Sequence, residues 1–269
     1  MWGWTLVLAA GLGACTPSHE THASEGPLAL VVVTPGMEAA AFLPLALAFG
    51  DAGIETWTVW IPPGDPLPDP GAAQAASARI RAMAQAAGVG GRPVGLVAHG
   101  PGATLALLAA PGVADAVVAL GPLLGPPGTL LAGWLAGLPV PDGSVDLSVP
   151  LDWRGHDAAS LLLGQPEPRL GSLPAPLARD WQRWLLEGPP LDPAAVTCPV
   201  FVGAGARDRL APVESIRSPA SAFPDATFVR FGLLRFAPRD PGSLDLLDQR
   251  AVLRVSTRWL ADTLSERAG

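Results

Sequence analysis

Three short stretches hold the residues whose types and spacing could do chemistry. The first is Ala98-His99-Gly100-Pro101-Gly102, where the apolar run Val94–Ala98 feeds a turn of small residues and Ala103-Thr104-Leu105-Ala106 resumes as a helix. A sharp strand-to-helix turn exposes its central residue above the strand ends, and Gly100 there carries no hydroxyl to act as a nucleophile. The second is Gly203-Ala204-Gly205-Ala206-Arg207-Asp208-Arg209-Leu210-Ala211-Pro212, which sets a carboxylate in a loop just past an apolar strand. The third is Phe231-Gly232-Leu233-Leu234-Arg235-Phe236-Ala237-Pro238, where a guanidinium occupies the loop after the next strand. A guanidinium stays protonated, so Arg235 cannot serve as a general base.

Histidine is scarce. The four are His19, His22, His99 and His156, and none follows residue 156. His19 and His22 lie three apart in a polar stretch without further ligands, which reads as a solvated tether rather than a metal site. His156, in Asp152-Trp153-Arg154-Gly155-His156-Asp157, is the remaining candidate base, with a plain surface histidine as the simpler reading. No cluster has metal-ligand spacing, and no cofactor is implied.

The elements that must position these residues alternate as strand and helix. Near-continuous apolar strands are expected at 28–34, 56–61, 94–98, 114–120, 199–204 and 226–231, with helices near 39–52, 72–87, from the turn at 100 onward, and 246–264. Strands apolar on both faces and separated by helices imply a mostly parallel sheet of about six strands covered on both sides, an α/β fold. Residues 122–195 break this rhythm with proline-rich loops, helical pieces near 128–138 and 176–187, and Trp134, Trp153, Trp181 and Trp184. These tryptophans either fill the insertion's own small core or line a lid over an apolar pocket.

Taken together, the turn, the acid loop and the insertion resemble the α/β-hydrolase superfamily over roughly residues 28–265. The resemblance implies an α/β-hydrolase-like domain at 28–269 with a helical cap inserted at 122–195. Its nucleophile elbow has the form G-x-S-x-G, and Ala98 and Gly102 keep the small residues that the tight turn needs. Gly100 stands at the nucleophile position, Asp208 at that of the acid and Arg235 at that of the histidine. Backbone N–H groups at Met37, in Thr34-Pro35-Gly36-Met37, and at residue 101 would form the oxyanion hole, but Pro101 has no N–H to give. Asp208 reads equally as a loop aspartate capping the following helix or pairing with Arg207 or Arg209. Arg235 is expected to pair with Asp208. The turn at 98–102 also fits an ordinary glycine-rich strand-to-helix connection of another doubly wound fold, though not a phosphate loop, since no Lys-Ser/Thr follows it.

The amino terminus adds a second resemblance. Met1–Cys15 has no charged side chain, and its apolar run from Thr5 to Ala14 is too short to span a bilayer but suits a signal peptide. Leu12-Gly13-Ala14-Cys15 resembles a bacterial lipobox, which implies lipidation at Cys15, a tether at 16–27 and anchoring at the cell envelope, facing the periplasm or surface; an uncleaved anchor and ordinary secretion are the alternatives. A net charge of -7 without a basic stripe argues against nucleic acid. The chain has no Lys, Asn or Tyr and only four Ile, which removes lysine chemistry outright. Cys198 opens an apolar strand and reads as a buried structural thiol.

Three functional readings follow. The chain is a catalytically inactive, membrane-tethered hydrolase-like protein that binds an apolar small molecule or a protein partner; or an active esterase-like hydrolase with a non-standard site; or a structural envelope protein without a ligand pocket.

Overall fold

In β1, Leu28–Val32, every side chain is buried, so the strand cannot lie on a surface and must be flanked on both edges and both faces. The computed structural model, which describes residues 26–146, 171–208, 210–232, 244–247 and 249–268, places it second in a six-stranded parallel sheet. The sheet strands are β1, β2 (Glu55–Val59), β3 (Val94–His99), β4 (Ala116–Leu120), β7 (Val200–Gly205) and β8 (Ala226–Phe231), in the order β2-β1-β3-β4-β7-β8. All five pairings are parallel. The expected strands at 28–34, 56–61, 94–98, 114–120, 199–204 and 226–231 all appear; β1, β3, β4 and β7 are fully buried runs, while β2 and β8 form the partly exposed edges.

Strand alternation sorts the core into two layers. Leu28, Leu30 and Val32 with Leu96, Ala98, Val117, Ala119 and Val202 face α2 (Ala72–Ala87), α3 (Gly100–Ala109) and α6 (Val213–Ala220). Ala29, Val31, Val97, Val118 and Phe201 face α1 (Leu43–Asp51), with its leading 3-10 turn Ala39–Phe42, and α7 (Arg250–Ala268). The sheet is covered on both faces, as the sequence requires.

The insertion between β4 and β7 contains α4 (Leu130–Ala136), the antiparallel pair β5 (Ser144–Asp146) and β6 (Ser172–Pro174), and α5 (Ala175–Glu187). The two helices coincide with the expected pieces. The strand pair was not expected, since three-residue strands among prolines carry no alternation to read. Of the tryptophans, Trp184 is buried with Leu177 and Leu185 in the sheet's own α2–α3 core, Trp181 packs against that core and Trp134 is exposed; Trp153 lies outside the described residues. A tertiary cap fastens the insertion. Gly71 precedes α2 and has no side chain, and the Ala73 N–H instead donates to Asp180 Oδ2 on α5 at 2.8 Å. Arg183 pairs with the other oxygen of Asp180. Thus α5 is fixed to the domain rather than hung over it.

Candidate functional site

The sheet register brings the candidate residues to one edge. His99 pairs with Leu120, and Leu120 with Gly203, so the turn after β3, the glycine after β4 and the loop after β7 sit side by side at the carboxyl ends of the strands. In open α/β sheets this is where ligands bind.

Gly100 is the first residue of α3 and has φ +55°, the left-handed conformation that a residue with a side chain adopts only under strain. Gly100 is buried, yet a Cβ built on it meets no atom of the described residues within 4 Å. The turn therefore holds both the backbone geometry of an elbow and room for a side chain at its apex. Gly102 is glycine for another reason. A Cβ there would lie 2.6 Å from Thr34 Oγ1 and 2.9 Å from Thr34 Cα, so the helix can approach the end of β1 only without one. Thr34 itself is buried, and its hydroxyl donates to the His99 carbonyl, tying the loop after β1 to the elbow. Thr104 fastens the other flank. Its hydroxyl donates to the Leu123 carbonyl at 2.8 Å and accepts from the Leu123 N–H at 3.0 Å.

Of the two backbone positions of the expected oxyanion hole, Pro101 lies in the elbow itself and Met37 in the loop after β1. Pro101 has no N–H. The Met37 N–H donates to the Thr34 carbonyl at 2.9 Å, closing a turn in which Gly36 has φ +81°. The cap touches this same loop, since the Gly171 N–H donates to the Gly36 carbonyl at 2.9 Å.

Asp208 is 5% exposed and is held by its own loop. Its Oδ1 accepts from the N–H groups of Leu210 at 2.9 Å and Ala211 at 2.8 Å, ahead of α6. Its Oδ2 turns towards the elbow. A Cβ on Gly121, which has φ +57°, would lie 3.0 Å from that oxygen and 3.9 Å from His99 Nε2. Gly121 is thus the point on which the carboxylate and the buried imidazole converge. Gly121 and Thr34 were not singled out in the sequence. The available signals were a polar residue closing an apolar run and a glycine directly after a strand, both too common to mark a site.

Arg235, His156, Cys15, His19 and His22 lie outside the described residues, as does Arg209. Cys198 is buried, and burial pushes its thiol up to about 11, so it is inert as a nucleophile near neutral pH. Among the described residues no three His, Cys, Asp or Glu side chains are placed to hold a metal ion. A separate open cleft of about 460 Å³ runs between the loop before α2 (Pro63, Asp65, Leu67) and the cap (Ser144, Ser172, Arg179). Its charges are compensated, Asp65 by Arg79 and Arg179 by Asp69 and Asp142.

No protein-family model matches the chain, and no curated protein matches it in sequence. Solved structures do. A monoacylglycerol lipase from Paleococcus ferrophilus superposes with a TM-score of 0.62 at 19% identity, over 88% of this chain and 96% of its own. Est1E from Butyrivibrio proteoclasticus gives 0.59 at 16% identity, covering 89% of each chain. A soluble variant of monoglyceride lipase from Saccharomyces cerevisiae gives 0.59 at 15% identity, over 90% of this chain and 87% of its own. At such identities the likeness is one of architecture. With its parallel sheet, two helical layers and inserted cap, the chain carries the α/β-hydrolase fold.

Proposed function

We propose that this protein is a catalytically inactive member of the α/β-hydrolase fold, tethered to a membrane through lipidated Cys15 and retained to bind an apolar, acyl-bearing small molecule. The observation that carries this reading is Gly100. The elbow backbone persists at φ +55°, its apex carries no side chain, and among the described residues no atom lies within 4 Å of where a Cβ would stand. Three further features support it. Pro101 withholds one oxyanion donor, the Met37 N–H is engaged by Thr34, and Arg235 stands in sequence where a base is needed. The ligand class rests on the names of two structural neighbours, a monoacylglycerol lipase and a monoglyceride lipase.

The purified full chain is tested for labelling by a serine-directed fluorophosphonate and for hydrolysis of short acyl esters, with lipids that co-purify identified by mass spectrometry. The expected result is no label, no turnover above background and a bound acyl lipid. Turnover that Asp208→Ala abolishes would overturn the inactive reading, and the absence of any bound acyl compound would overturn the ligand class.

A further inference from the structure

Among the described residues, the outer face of α1 has no partner. Leu43 and Leu47 stand four residues apart, 52% and 39% exposed, and exposed Ala40 precedes Leu43 by three. No charged residue occurs from Ala39 to Gly50. The inward positions Phe42, Leu45 and Phe49 are already buried, so the outer leucines are surplus to the core. Trp60 extends the patch. Its neighbours Val59 and Ile61 face the α2–α3 core, so alternation turns Trp60 to the α1 side, where it is 39% exposed at the edge of the sheet. Exposed leucines and an exposed aromatic on the same side of the sheet edge fit an interaction surface.

The chain's entry point indicates what covers it. Arg92 Nε donates to the Gly26 carbonyl at 2.6 Å, and its Nη2 meets Glu55 on β2 at 2.6 Å. The chain therefore enters at the amino end of β1, beside edge strand β2 and the end of α1. Residues 16–26 reach at most about 40 Å when extended. A lipid on Cys15 is thus attached nearest the α1–β2 edge, while β8 lies at the opposite edge, about 24 Å farther across the sheet.

We infer that the face formed by Ala40, Leu43, Leu47 and Trp60 docks on the bilayer surface, laying the domain on its α1–β2 edge. The inference rests on the lipid-anchor reading above. Without cations on α1, docking depends on apolar contact, so it is insensitive to salt and needs no anionic lipid.

The test uses the full chain in phosphatidylcholine vesicles, with an environment-sensitive fluorophore on Ala40→Cys or, as the far-edge control, on Thr227→Cys. Bromine-labelled acyl chains should quench the label at residue 40 and spare that at 227, equally in low and high salt. Leu43→Glu with Leu47→Glu should reduce quenching at 40 to the control level while far-ultraviolet circular dichroism is unchanged. Equal quenching at both sites overturns the docking face, whether or not the double variant folds. So does a label at 40 already shielded without vesicles, which would mean a second copy or the chain's own leader covers it. The anchor is read separately, from the mass of the amino-terminal peptide. An unacylated Cys15 refutes the anchor alone if residue 40 is still quenched, and both ideas if it is not.

Discussion

Replacing Gly100 by serine separates strain from chemistry at the elbow. The backbone there has φ +55°, a region that costs a residue with a side chain about 1–2 kcal/mol. No steric term adds to it, because among the described residues a Cβ at this position meets nothing within 4 Å. Gly100→Ser should therefore fold and lose about 1–2 kcal/mol, which for a domain of this size lowers Tm by roughly 2–8 °C. The restored hydroxyl should remain idle. One absent oxyanion donor costs on the order of 100–1000-fold, Pro101 supplies none, and the Met37 N–H is held at 2.9 Å by Thr34. Thermal unfolding is followed alongside hydrolysis of a short p-nitrophenyl ester and fluorophosphonate labelling. A variant as stable as the wild type would refute the strain argument. A variant that turns over ester, in a manner lost on further Asp208→Ala substitution, would refute the assignment of Pro101, Met37 and Arg235 as an incomplete site.

Gly102→Ala should behave in the opposite way. Its φ is ordinary, but the new methyl meets the Thr34 backbone at 2.9 Å, so a larger loss of about 2–3 kcal/mol is expected in denaturant unfolding. Asp208→Ala removes the acceptor of the Leu210 and Ala211 N–H groups and should cost about 2–4 kcal/mol, while Asp208→Asn, which keeps a carbonyl acceptor, should cost markedly less. Cys198 gives a pH test unusually clear of other groups, since the chain has neither lysine nor tyrosine to titrate nearby. Burial raises its thiol from 9.0 to about 11, so the folded state favours the protonated form; this contribution is complete below about pH 9 and is lost as pH rises towards 11, by up to about 2–3 kcal/mol. Cys198→Ala should flatten the slope of unfolding free energy between pH 9 and 11.

The fold was legible because its determinants are local. The five buried residues of β1 and the unbroken apolar runs of β3, β4 and β7 can only be interior parallel strands, and the helices between them fill both faces. The Gly100 turn and the Asp208 loop were legible for a related reason, since each directly follows one of these strands. Three features were not legible. The β5–β6 pair joins segments whose few residues have no period. The cap of α2 comes from Asp180, 107 residues away, because Gly71 has no side chain to supply it. Gly121 acquires its role only when Asp208 and His99 are brought beside it.

By itself, then, the sequence determined which atoms exist at the site: no hydroxyl at Gly100, no N–H at Pro101, a carboxylate at Asp208. Those are covalent facts, independent of folding. The tertiary structure decided what the same positions mean physically. Gly100 and Gly102 differ in no way as residues, yet one has a left-handed backbone beneath open space and the other lies against the backbone of Thr34. Conformation and clearance are properties of what packs nearby, and contacts between residues 65 or more positions apart are fixed only when the sheet brings its strand ends together.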